Sequence, residues 1–332
     1  MEKSRQYVLK LVPILILALV MTAVLPACSF ISNRQPGPAR PLVITTLFPQ
    51  YDFIRQIAGD KVEFRLLIPP GVEPHAYEPT PRDLADIRRA DLFVYTGDAM
   101  EPWVKQLLEA DPDGGMQVVD ASRGIELWDG EESGEQETED HGIEEPDAHE
   151  HDSHTLDPHI WLDPVLAQTI VDNITDGLAA ADPANSLYYR AQALEYKKKL
   201  QELHQRFEYA LQNTQTRTLL FGGHFVFGYF ARRYGLDYET PYFGFSPNAE
   251  PAPQAIAQLI QTMESHGLDT IFYEELVQPR VAQVIAQQTG ANMLLLHGAH
   301  NLSKAELDAG VTYLDIMEQN LINLKLGLGS RD

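Results

Sequence analysis

Four of the eleven histidines stand where a loop would present a side chain. His159 lies in Asp157-Pro-His-Ile-Trp-Leu-Asp-Pro164, between two Asp-Pro pairs. Proline drives the residue before it toward extended backbone, so this stretch predicts a stiff loop presenting one imidazole. His75 follows a β-rich run and the turn Pro69-Pro70-Gly71. His224 follows a β-rich run and Gly222-Gly223, and His300 follows the run 292–296. Loops beyond the carboxyl ends of parallel strands form the ligand crevice of open α/β sheets. If two such sheets face each other, His75 and His159 arrive from the first half and His224 and His300 from the second.

Four neutral imidazoles around one ion are a borderline-soft donor set. They suit Zn²⁺, held tetrahedrally at about 2.0–2.1 Å, with no position left for a reactive water. Such a closed site holds a metal rather than hydrolysing with it. Mn²⁺ would draw more carboxylates, and the nearby acid is Glu73. Spacing alone leaves two readings open, one shared site or four unrelated surface histidines. His204 and His266 fall on predicted helices and read as ordinary surface residues. His-Glu-x-x-His, Gly-x-Ser-x-Gly and phosphate-cradling glycine loops are absent. A secreted zinc hydrolase is the rival reading, with Glu274 or Glu275 as its base. Tyr77, Trp161, Phe225 and Tyr229 beside the histidines read as packing that excludes water.

The elements that must position these residues alternate. Runs predicted as strands at 41–47, 62–68, 91–95 and 116–119 are separated by helical patterns, including Thr80-Pro81, a cap followed by proline. A second series follows, with strands at 218–221, 236–243, 270–273 and 292–296, and a last helix over 303–326. Strands alternating with helices imply right-handed crossovers and mostly parallel sheets. The fold class is therefore α/β, with two lobes, each a mostly parallel sheet flanked by helices. Between them the spacing predicts one long helix over 182–213, with Leu187, Ala191, Leu194, Tyr196, Leu200, Leu203, Phe207 and Leu211 on its apolar face. The domains expected are an N-terminal lobe over 41–181, this linking helix and a C-terminal lobe over 214–332.

Residues 1–28 lie outside the fold. Lys3, Arg5 and Lys10 precede an apolar run, as in a secretory leader. The run ends in Leu25-Pro26-Ala27-Cys28, which resembles a lipobox whose cysteine is lipidated, so an exported, membrane-anchored protein is expected, tethered by residues 29–40. Cys28 is the only cysteine, which excludes disulfides and thiolate metal sites. The balance of 25 basic against 48 acidic residues, a net charge of −23, argues against a nucleic-acid partner and suits cations. Much of the acid lies in 129–155, a stretch nearly free of apolar residues that carries His141, His149, His151 and His154. It cannot bury enough surface to fold and is expected to be disordered.

Three blocks carry a resemblance. Gly71-Val-Glu-Pro-His75-Ala-Tyr-Glu-Pro-Thr-Pro-Arg-Asp-Leu84, Asp157-Pro-His-Ile-Trp-Leu-Asp-Pro164 and Phe221-Gly-Gly-His224-Phe-Val-Phe-Gly-Tyr-Phe230 are similar to the metal-binding blocks of the zinc/manganese solute-binding proteins of ABC transporters, ZnuA-like members of the TroA superfamily. The resemblance covers about 41–325. It implies a rigid connecting helix, a metal site in the interlobe cleft and delivery of the ion to a membrane permease, by a monomer. It implies His at the third ligand position for zinc, where manganese importers often carry Glu, so His224 points to zinc. The fourth position, Asp or Glu in many members, falls at His300, with His297 as the alternative. The acidic, His-rich stretch matches an insertion typical of zinc-specific members, so His141, His149, His151 and His154 are expected to bind extra zinc weakly and to feed or sense the main site. An adhesin-like surface role is compatible with the same resemblance.

Overall fold

The computed structural model describes residues 40–110, 115–128, 156–242 and 251–330. Cys28, the tether up to residue 39 and the acidic stretch with His141, His149, His151 and His154 lie outside the described residues. The first half runs β1 (Leu42–Thr45), α1 (Phe48–Ala58), β2 (Glu63–Leu66), α2 (Pro81–Ile87), β3 (Leu92–Tyr95), α3 (Trp103–Glu109) and β4 (Gln117–Asp120). Its four strands are all parallel, in the order β2-β1-β3-β4. Ile44 on β1 lies between Arg65 and Phe93. β3 is buried at every residue, as expected of a parallel strand covered on both faces.

Two helices then lead into the second half, α4 (Pro164–Ala181) and α5 (Ser186–Gln212). α5 is 27 residues long, about 40 Å at 1.5 Å per residue. It packs against α1, α4 and later α10 (Tyr313–Gly327), so it touches elements of both halves. Its buried face is Tyr189, Ala193, Tyr196, Leu200, Leu203, Phe207, Ala210 and Leu211. Leu187 and Leu194, expected on that face, are 84 % and 55 % exposed, and Ala191 is also exposed. At 100° per residue Leu194 and Tyr196 stand about 200° apart and cannot share a face.

The second half holds β5 (Thr218–Leu220), α6 (Gly228–Tyr234), β6 (Asp237–Glu239), α7 (Pro253–His266), β7 (Thr270–Tyr273), α8 (Arg280–Thr289), β8 (Asn292–Leu295) and α9 (Lys304–Ala309) before α10. β5 pairs with β6 and β7 with β8, all parallel. A parallel bridge between Phe221 and Phe272 joins the two pairs, giving the order β6-β5-β7-β8. The extended run predicted at 236–243 is regular strand only over β6. The single last helix predicted at 303–326 is two helices. Gly310 ends α9 in the left-handed conformation at φ 74°, and Thr312 restarts the chain with a capping box closed by Asp315.

Direct hydrogen bonds cross between the halves. Asp52 on α1 accepts from the Tyr313 amide, and Arg55 donates to the Val311 carbonyl. Arg233 on α6 donates to Asp163 at 2.8 Å, and Asp163 also caps α4 by accepting from the Val165 amide.

Candidate metal centre

Each of the four singled-out histidines is placed by a different local device. Pro74–Ala76 form a single 3-10 turn whose cap, Glu73, accepts from the His75 amide at 3.2 Å. His159 precedes the 3-10 turn Ile160–Leu162, just ahead of α4. His224 follows β5 and the Gly222-Gly223 turn, where a Cβ on Gly222 would lie 2.7 Å from Ala282 and one on Gly223 2.7 Å from a Glu274 oxygen. His300 follows Ala299, a buried non-glycine at φ 56°. A left-handed alanine costs about 1 kcal/mol. The Gly298 amide donates to Glu275 at 2.6 Å and its carbonyl accepts from the Trp161 indole at 2.8 Å. One hydrogen bond to a charged group is worth about 1.5–3 kcal/mol, enough to hold the strained turn.

The structure brings all four rings together. Their six centroid separations run from 5.1 to 6.1 Å. One ring nitrogen from each lies within 4.8 Å of the other three, the group among the described residues best disposed to hold a metal. The Nε2 atoms of His75 and His159 face each other at 3.1 Å. Those of His224 and His300 are buried with no hydrogen-bond partner. Buried polar atoms without partners are rare and call for a ligand. In a tetrahedral zinc site of about 2.05 Å radius the donor nitrogens stand roughly 3.3 Å apart, so the cluster is close to the geometry of a shared ion.

Behind three of the rings stands a carboxylate. Asp157 Oδ1 accepts from both the amide and Nδ1 of His159, at 2.9 and 2.7 Å. Glu274 accepts from the His224 amide at 3.2 Å and from its Nδ1 at 2.7 Å. Glu275 pairs with Nδ1 of His300 at 3.0 Å. An ionised carboxylate only accepts, so it puts the proton on Nδ1 and turns the Nε2 lone pair inward. These partners were only half legible. Glu274 and Glu275 stand out at a strand end, but nothing in the sequence assigns them to particular rings. Asp157 is visible two residues before His159 inside the Asp-Pro block.

Electrostatics favour an incoming cation. Burial, then the facing His300 and His224, push His75 down to about 2, and burial drives His159 well below its usual range. Burial also lifts Asp157 to about 7, against the pull of the His159 amide and His300. Buried and unpaired charge is penalised in both signs, and a dication in the pocket would supply the missing counter-charge. At His300 burial lowers the pKa, but the hydrogen bond and charge of Glu275 outweigh it and the net shift is upward. Burial would raise Glu275, yet the facing His297 and His300 take it to about 2.

His297 is not among the four. Its ring sits beside Glu275 at 3.3 Å and Glu306 at 3.7 Å, and its amide is held by Asn320 at 2.8 Å. His204 bonds the Tyr234 hydroxyl and His266 the carbonyl of Thr262, and neither belongs to the cluster. The aromatic residues behave as packing. Trp161 is fully buried and Phe225 nearly so, while the Tyr229 hydroxyl joins the seam by donating to the Asp157 carbonyl.

The sequence profile of the family described as zinc-uptake complex component A, periplasmic (ZnuA), matches residues 43–327. The high-affinity zinc uptake system protein ZnuA of Bacillus subtilis is 42 % identical over 283 residues, 85 % of this chain and 86 % of that protein. The zinc-binding lipoprotein AdcA of Streptococcus pneumoniae is 33 % identical over 311 residues, 94 % of this chain but only 60 % of that longer protein. The Zn(II)-bound ZnuA-like domain of the same AdcA superposes with a TM-score of 0.73 at 30 % identity, covering 87 % of this chain and 99 % of the domain. A match that spans both halves and all four histidine loops leaves one assignment: the chain belongs to the ZnuA family.

Proposed function

We propose that this protein is an extracytoplasmic solute-binding protein that captures Zn²⁺ with His75, His159, His224 and His300 and delivers it to the permease of an ABC transporter. The observation that carries the reading is the convergence of four imidazole nitrogens within 4.8 Å, two of them buried and unpartnered. The relatives named for zinc uptake and zinc binding support the same cargo. An all-nitrogen donor set favours Zn²⁺ over Mn²⁺, which prefers oxygen ligands. A hydrolase would need a free general base, but Glu274 and Glu275 are both engaged with ligand rings.

Around this site we place a lobe over 41–181, the linking helix over 182–213 and a lobe over 214–332. Export by the leader, a lipid on Cys28 and action as a monomer complete the reading. The histidines of the acidic stretch 129–155 take up further zinc weakly and supply the main site. Calorimetric titration of the mature domain tests the assignment. His159→Ala and His224→Ala should each abolish tight binding; tight binding that survives both would overturn the ligand set. Deleting 129–155 should remove only the weak sites, and loss of the tight one would refute that division of roles.

A further inference from the structure

Two ligand loops, one from each half, are joined by a single buried side chain. Asn301 directly follows His300 and is 1 % exposed. Its amide donates one proton to the Pro69 carbonyl at 2.7 Å and the other to the Val72 carbonyl at 2.9 Å. Its Oδ1 accepts from the Leu302 amide at 2.8 Å. The Leu302 carbonyl accepts in return from the Gly71 amide at 2.7 Å. Gly71 lies at φ 81°, the left-handed conformation that lets the turn fold back onto Asn301. The clamped residues Pro69, Gly71 and Val72 are themselves exposed, so this contact is what fixes their position.

The turn leads within three residues to His75. Among the described residues His75 is the ligand without a carboxylate on Nδ1, and it is the one that is only partly buried. The other three rings are each locked by their own acid. The position of His75 therefore depends on its loop, and the loop depends on Asn301.

We propose that Asn301 is the latch of the metal site: it holds the His75 loop of one half against the His300 loop of the other, and its opening is the step that lets zinc leave. The proposal rests on the zinc-binding reading above. Because the three carboxylate-backed rings stay in place when the latch opens, the ion passes to a weaker three-imidazole basket before it departs. Partners that orient ligands from behind typically change metal affinity by roughly 10–100-fold when removed, and the same range is expected here, mainly in the release rate.

The test uses the full chain loaded with Zn²⁺ or Co²⁺. Wild type is titrated first; a wild-type chain that takes up no zinc would sink the functional reading itself, which separates that failure from this one. Asn301→Ala and the isosteric Asn301→Asp both remove the two donated protons, and Asn301→Asp keeps the acceptor for Leu302. Both should release zinc to a chelator roughly 10–100-fold faster than wild type. Both should also change the visible Co²⁺ spectrum, because His75 leaves the coordination shell; a merely structural role would leave that spectrum alone. Wild-type release rates with an unaltered Co²⁺ spectrum in a folded Asn301→Asp protein would overturn the proposal. Hydrogen exchange on wild type decides the matter even if the variants do not fold. The Gly71 amide should exchange faster when zinc is removed, and an exchange rate indifferent to zinc would also overturn the latch.

Discussion

The two halves share one strand order, β2-β1-β3-β4 in the first and β6-β5-β7-β8 in the second, but use the crevice beyond their central strands differently. In the first half that crevice is filled. Glu101 is buried there and accepts from the Thr46 and Thr96 hydroxyls and from the amides of Thr96 and Gly97. In the second half the equivalent place holds Glu274, which accepts from the amide of His224 and also from its ring. Both acids brace a strand end. Only the second passes its hold on to an imidazole that faces the pocket. The same topology is thus a plug in one half and a metal arm in the other, and the loop after the strand makes the difference.

The largest effect that would test this contrast is at the arm itself. Zinc bound by four protein ligands gains about 10–16 kcal/mol, so a quarter of it, roughly 3 kcal/mol, is at stake in one ring. His224→Ala should weaken Zn²⁺ binding by about 100-fold or more, read by chelator competition. Glu274→Ala leaves the ring but frees its Nδ1, and the expected loss is about 10–100-fold. If Glu274→Ala binds like wild type, the acid braces backbone only, as Glu101 does, and the contrast collapses.

The pH dependence comes next. His75 and His159 are held neutral, whereas Glu275 raises His300 above 6.5, so on the proposed ligand set His300 is the ring that must lose a proton to the incoming metal. Below that raised value affinity should fall about tenfold per pH unit for the one competing proton, an onset above rather than at 6.5. Calorimetry in buffers of different ionisation heat should find proton release growing as pH falls toward 6.5. The smallest effect belongs to the plug. Glu101→Gln should leave zinc affinity within about twofold, since Glu101 bonds Thr46, Thr96 and Gly97 and so braces neither a histidine ring nor a loop that carries one. Burial raises Glu101 from 4.5 to about 7, against the pull of its hydrogen bonds. A raised folded-state value means its contribution is full below pH 4.5 and is lost as pH rises through about 7. Melting curves of Glu101→Gln across that window should therefore be flatter than those of wild type.

The ligand loops were legible because proline and glycine punctuate them. Asp-Pro on both sides of His159, and Gly-Gly before His224, mark strand ends where a side chain is presented. Which ring each glutamate backs is not legible, because Glu274 is 50 residues from His224 and the pairing of Phe221 with Phe272 brings them together. Asn301 is not legible for the same reason, its partners lying 229 and 232 residues away. On α5 the leucine spacing points to a face with 187 and 194 that the structure leaves exposed, since hydrophobicity alone does not say which of two opposed stripes packs. Tyr189, Ala193 and Tyr196 do. The break at Gly310 was legible in principle, from a glycine followed by Thr312 and Asp315 at capping-box spacing.

Three glycines have a consequence for how such a pocket can change. A Cβ on Gly223 would meet a Glu274 oxygen at 2.7 Å, one on Gly228 would meet Asp157 Oδ2 at 2.5 Å, and one on Gly298 would meet the His300 ring at 2.5 Å. At each of these places a hydrogen atom is all that fits between backbone and the groups that steer the rings. Size is therefore no dial that a point substitution can turn here, and a change of preferred metal would have to come from exchanging the donor atoms themselves.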